Sequence, residues 1–185
     1  INRELGEKKG SDKFINYSQE NNIKIISFSS ERFKKNNSLE WKDLRYKFDQ
    51  EVLKKISDNN VDFIVSAGYM LISPVICDYY KIINLHPALP DGPNGTWKNV
   101  IKELILKKIY TSGVSVHIMT KDLDDGPNIS YCKFNIYDNE FEKYWNEFNQ
   151  SNKPIEKTVL FNAIREKMLI HERELLKVTL VKISQ

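Results

Sequence analysis

The chain has 185 residues, 41% of them hydrophobic and 29% charged, with 28 basic against 25 acidic side chains and a formal net charge of +3. That length and mixture suit one folded domain with a sizeable core. The charge is too small and too scattered to argue for nucleic acid, although it tolerates an anionic small substrate. No apolar run reaches the roughly 18 residues of a membrane span, because Ser66, Gly68, Ser73 and Pro74 interrupt the longest candidate.

Ile1-Asn2-Arg3 reads like the end of a strand entering a polar loop, not like an initiator sequence. The expectation is a reading frame that continues upstream. Ser11 can cap a short helix carrying Phe14 and Ile15, and Ile23 to Phe28 then reads as a strand. Trp41, Leu44, Phe48, Val52 and Ile56 recur every three or four positions, the mark of an amphipathic helix of about four turns. Asp58-Asn59-Asn60 ends it. Val61 to Ser66 is a short apolar strand, left through the loop Ala67-Gly68-Tyr69-Met70, and Ser73-Pro74 opens a brief helix.

Ile82 to His86 is the next strand. Pro87, Pro90, Gly92, Pro93 and Gly95 follow it in a rigid loop. Thr96 caps a helix whose Trp97, Val100, Ile101, Leu104 and Ile105 fall on one face. Val114, Val116 and Ile118 alternate with Ser115, His117 and Met119, a strand, and Asn128 to Ile136 is its partner after an Asp-Asp-Gly-Pro turn. Beyond about Asn139 the pattern is helical. Strand–helix alternation ending in a hairpin predicts an open α/β sheet, mostly parallel and Rossmann-like, with helices on both faces and a late antiparallel hairpin. The whole of 1–185 is expected to be one domain, with 139–185 as its helical C-terminal part. Cys77 and Cys132 stand apart, with no Cys-x-x-Cys spacing, which points to a reducing, cytoplasmic setting.

The chemistry concentrates in Asn84-Leu85-His86-Pro87 and, 38 residues after His86 (124 − 86), in Asp124 of Leu123-Asp124-Asp125-Gly126-Pro127. An amide, an imidazole and a carboxylate at strand ends are what an acyl-type transfer needs: an oxyanion donor, a proton or charge carrier, and a group that orients it. Loops at the carboxyl ends of strands are where open α/β sheets carry such sites. Taken alone, His86 is a turn histidine, Asn84 a strand-end turn former, and Asp124 with Asp125 an Asx-type turn. His117, on the polar side of its strand, either faces the same site or is an ordinary strand histidine. Tyr69 and Met70 divide between core and pocket lining. A metal set of His86, His117 and Asp124 is formally possible.

Ile83-Asn84-Leu85-His86-Pro87-Ala88-Leu89-Pro90, Ser112-Gly113-Val114-Ser115-Val116-His117 and Leu123 to Ile129 stand in this order after Ala67-Gly68-Tyr69-Met70 and Ser73-Pro74. Together they resemble the folate-dependent formyltransferases, and among them the enzymes of purine biosynthesis that formylate glycinamide ribonucleotide. The resemblance runs over about residues 1–136. It implies a 10-formyltetrahydrofolate co-substrate, a primary-amine acceptor and no metal. It implies catalytic roles for Asn84, His86 and Asp124. It also implies a folate site lined by Tyr69, Met70, Leu71, Ile72, Thr120, Lys121, Asp122 and Leu123. Small-molecule partners are implied, with neither nucleic acid nor membrane.

Three departures accompany it. The loop after His86 is a residue shorter between its prolines than the usual form, and no basic residue follows Met70. The opening strand and Gly-Ser-Asn-type phosphate loop would lie before Ile1. Alternatives within the fold are a formyltetrahydrofolate hydrolase and an amino-sugar formyltransferase. Asp91-Gly92 stands where the tRNA-directed enzymes carry Arg-Gly, and that reading ranks low. From another class, the chain is a non-catalytic folate-binding fragment.

Overall fold

A computed structural model describes residues 1–69, 71–121 and 126–185. Contacts divide the chain into two compact units, one of Ile1–Ile64 with Leu71–Lys81, the other of Val65–Met70 with Ile82–Gln185.

The first unit holds helices α1 (Lys9–Glu20), α2 (Ser30–Lys35) and α3 (Trp41–Ile56). Helix α3 spans the expected range, because its apolar positions repeat at helical spacing and bury Leu44 and Phe48 completely. Phe48 gathers Phe28 at 5.0 Å, Phe33 at 5.4 Å and Trp41 at 5.6 Å between ring centroids. The same helix buries an ion pair, Arg45 Nη2 to Asp49 Oδ1 at 3.3 Å. Asp49 Oδ2 accepts the backbone N–H groups of Val75 at 2.7 Å and Ile76 at 3.0 Å. Those two donors open a short 3-10 turn, Ile76–Asp78, in place of the brief helix expected from Ser73-Pro74.

Two further expectations fail here. Helix α1 begins at Lys9, so Ser11 lies inside it and caps nothing. Residues 23–29 are extended but form no strand. The strand-like contacts of this stretch are with Ile1 and Asn2, through Ile1 N to Ile26 O at 2.9 Å, Phe28 N to Ile1 O at 3.0 Å and, just after it, Ser30 N to Asn2 O at 3.3 Å. β propensity without a long enough partner leaves an extended segment, not a ladder.

The sheet contains β1 (Ile64–Ser66), β2 (Ile82–His86), β3 (Thr111–Ile118) and β4 (Asn128–Asn135) in the order β1-β2-β3-β4. It is open and mixed. Antiparallel pairing is not confined to the late hairpin, because β2 also runs antiparallel to β3. The cause lies in the connection. β2 ends at His86, which pairs with Ser115 in the middle of β3, so the start of β3 lies beyond the C-terminal end of β2. The proline-rich loop and helix α4 (Trp97–Leu106) therefore return the chain to the end of the sheet it has just left.

Paired residues point to one face of a sheet. Val114 with Cys132 and Ser112 with Phe134 share one face. Val114 and Phe134 there join a core with Val100, Ile101, Leu104 and Ile105 of α4, Trp145 of α5 (Glu142–Asn149) and Leu160, Phe161, Ile164 and Met168 of α6 (Val159–Ile183). The helical stretch after Asn139 is thus part of the second unit's core. Among the described residues no helix is long and apolar enough to cross a membrane.

Candidate active site

The other face of the same strands is polar. Asn84 and His86 sit two positions apart on β2 and so point the same way. Asn84 pairs with His117 and His86 with Ser115. His86, Ser115 and His117 are all buried. Asn84 Nδ2 lies 3.0 Å from His117 Nε2, and His117 Nδ1 lies 3.1 Å from the carbonyl of Ile118. A carbonyl only accepts, so Nδ1 carries the hydrogen and Nε2 offers its lone pair to the Asn84 amide. This fixes which end of the amide is nitrogen. The same reasoning applies to His86, whose Nε2 donates to the Pro93 carbonyl at 3.2 Å, which leaves Nδ1 as the basic nitrogen of the neutral ring. The two imidazoles stand edge to face with centroids 6.1 Å apart.

The loop between Pro87 and Thr96 is pinned at several points. Gly92 N donates to Leu89 O at 2.8 Å. A Cβ on Gly92 would meet Leu89 O at 3.0 Å, so glycine suits this tight turn. Leu89 lies over Gly113, where a Cβ would come within 2.3 Å of Leu89 Cδ2. Gly95 turns the chain with φ of 94°, a left-handed conformation that favours glycine, and Thr96 Oγ1 then caps α4 by accepting from Asn99 N at 3.3 Å. The Pro93 carbonyl is in this way held for His86.

Of the residues expected from the sequence, Asn84 and His86 come together on one buried polar face. Asp124 lies outside the described residues, as do Met70, Asp122 and Leu123. Gly126 and Pro127, which follow in sequence, sit against the end of β3. Ile118 N donates to Pro127 O at 2.9 Å. At Gly126 a Cβ would fall 1.6 Å from the Ile118 carbonyl oxygen, so only glycine fits that approach. Thr120 and Lys121 follow β3. Tyr69 belongs to the second unit and Leu71 and Ile72 to the first.

Two contributors go beyond the sequence expectation. His117 bonds directly to Asn84, and the Pro93 carbonyl orients His86. Parity along the strand already put His117 on the polar side, but its partner depends on register, which periodicity does not encode. Among the described residues no group of three His, Cys, Asp or Glu is arranged to hold a metal ion.

Residues 9–164 match the family model described as formyl transferase. A phosphoribosylglycinamide formyltransferase of Escherichia coli is 30% identical over 104 residues, 54% of this chain and 48% of that protein. A methionyl-tRNA formyltransferase of Campylobacter jejuni is 35% identical over 91 residues, 49% of this chain and 29% of that protein. The chain thus spans about half or less of the length of these curated relatives. The crystal structure of phosphoribosylglycinamide formyltransferase from Campylobacter jejuni superposes with a TM-score of 0.67 at 25% identity, covering 98% of this chain and 77% of that one. With most of this chain matched to the family and the fold shared, the chain belongs to the formyl transferase family.

Proposed function

We propose that this chain transfers a formyl group from 10-formyltetrahydrofolate to the primary amine of glycinamide ribonucleotide, a step of purine biosynthesis in the cytoplasm. The observation that carries the reading is the Asn84 amide beside the His86 imidazole on one buried face, its nitrogen fixed by His117 at 3.0 Å. The relatives that carry formyltransferase names support the same chemistry.

In this reading the amine attacks the formyl carbon, the C=O π electrons move to oxygen, and a tetrahedral oxyanion forms. Nδ2 of Asn84 has two hydrogens. One is given to His117, and the amide is assigned as a donor to the oxyanion from family likeness. His86, protonated at Nδ1 while Nε2–H stays on Pro93, becomes an imidazolium that stabilises the negative charge. Asp124 is assigned, from family likeness alone, to stabilise that cation and to relay the amine proton through water to the folate N10, whose bond to the formyl carbon breaks as the oxyanion collapses and C=O re-forms, so that tetrahydrofolate leaves. The folate is assigned on the same ground to the loops 68–72 and 120–123. Residues 1–185 are taken as one formyltransferase-like domain, with 139–185 included. One oxyanion donor is worth roughly 3–4 kcal/mol of barrier.

The test is incubation of the full chain with 10-formyltetrahydrofolate and glycinamide ribonucleotide, following formylated product and free formate. Formylated ribonucleotide supports the proposal. Formate alone assigns a hydrolase, and folate binding without either product overturns the enzymatic reading.

A further inference from the structure

The face of the sheet away from Asn84 and His86 carries a second pair of reactive side chains. On β4, Ser130, Cys132 and Phe134 alternate with Tyr131 and Lys133 and turn towards α6. Ser130 Oγ meets Thr179 Oγ1 at 2.6 Å, and the Phe134 ring stacks on His171 with centroids 4.4 Å apart and planes within 4°. Between these contacts Cys132 Sγ lies 3.5 Å from His171 Nδ1 and 3.7 Å from the Lys133 carbonyl, the two acceptors open to its one hydrogen. That is hydrogen-bond reach for sulfur, and stacking on Phe134 fixes the ring's orientation.

Both residues are partly buried and neither is sealed. Burial first, and then the charge of Lys167, hold the His171 imidazole below its ordinary range, so the ring is neutral near pH 7 and its Nδ1 lone pair can accept a proton. A nucleophile, a base in contact with it and a third group orienting the base form the arrangement that activates cysteine. The formyl-transfer reading uses none of these residues.

We infer that Cys132 and His171 form a nucleophile–base pair, a covalent modification site whose substrate class is a small peroxide. His171 Nδ1 takes the thiol proton as sulfur attacks one peroxide oxygen. The S–O bond forms and the O–O bond breaks. The departing hydroxide collects the proton from Nδ1 and leaves as water. Sulfur is oxidised by two electrons to sulfenic acid and the peroxide is reduced, so that thiol plus hydrogen peroxide gives sulfenic acid plus water. The new oxygen enters between β4 and α6.

The test uses the chain's other thiol as an internal reference. Iodoacetamide labelling of the native and urea-unfolded chain is followed peptide by peptide, for Cys132 and Cys77. Native Cys132 should react at least about tenfold faster than the same thiol in the unfolded chain, as a positioned base allows. His171→Gln should remove that advantage and leave Cys77 unchanged. Hydrogen peroxide followed by dimedone should give an adduct on native Cys132. A native rate no faster than the unfolded one, or no dimedone adduct, overturns the inference without reference to any variant. An unchanged Cys132 rate in folded His171→Gln overturns the role of the base.

Discussion

The two faces of the sheet both bury side chains of β2 and β3 and are built for opposite ends. On one, Val114 and Phe134 meet the aliphatic side chains of α4 and α6, and burial of apolar area supplies the stabilisation. On the other, His86, Ser115 and His117 are as deeply buried but polar, and each imidazole is tied to a carbonyl or an amide. Burying polar groups is tolerated only when they are hydrogen-bonded. The apolar face therefore carries the cost of holding the polar face in one geometry. Strand alternation separates the two roles by a single residue.

The sharpest way to break this comparison is to truncate the polar face. Asn84→Ala and His86→Ala should each lower single-turnover transfer by roughly two to three orders of magnitude, while titration with a folate analogue changes little. If His86→Ala loses affinity in proportion to rate, the polar face is a binding surface and the mechanism above fails. On the apolar face the outcome should reverse. Ile164 is fully buried in α6, and Ile164→Ala should cost about 2–5 kcal/mol in urea unfolding, with transfer per folded molecule preserved.

Gly113→Ala tests the seam between the faces. Its Cβ would lie 2.3 Å from Leu89 Cδ2 and 2.4 Å from the Cys132 carbonyl oxygen. A leucine methyl can give way and a strand carbonyl cannot. The expected loss is about 1–3 kcal/mol of stability, accompanied by reduced transfer because the Leu89 loop presents Pro93 to His86. Stability falling with unchanged transfer would detach that loop from catalysis.

The smallest effect is a pH dependence on the apolar face. His171 is held below its ordinary value in the folded state by burial and then by Lys167. Below an unfolded value of about 6.5 the unfolded chain binds the proton first. Unfolding free energy should thus fall as pH drops through the window from that value down to the folded one, and be unaffected above it. The difference between wild type and His171→Gln, measured against pH, isolates this contribution. A difference independent of pH would contradict the assignment.

Much of this was legible in the sequence, and the gaps have physical causes. Trp41–Ile56, Trp97–Leu106 and Ile82–His86 match their patterns because packing on one face agrees with local propensity. The segment Ile23 to Phe28 has strand composition, but its extended partner is the short stretch Ile1-Asn2, and a strand is a property of two segments. The direction of β3 against β2 could not be read, because a connection of proline loop plus helix can return to either end of a sheet. At the site, the position of Asn84 and His86 at the end of a strand was legible from the apolar run Ile82-Ile83 and the prolines that follow. The bond from Asn84 to His117 was not, since it depends on register, and the Pro93 carbonyl is backbone, which composition does not reveal.

That antiparallel return also sets an order of assembly. His117 pairs with Asn128 across 11 positions (128 − 117) in the β3–β4 hairpin, whereas Asn84 reaches His117 across 33. Closing the longer loop costs about 1 kcal/mol more chain entropy, and local pairings form earlier than distant ones. The hairpin therefore sets His117 in register before Asn84 docks beside it, although ribosomal synthesis makes Asn84 first. The amide and imidazole that define the polar face meet late on the folding route, and a chain stalled before β2 docks would keep an ordered hairpin with no site.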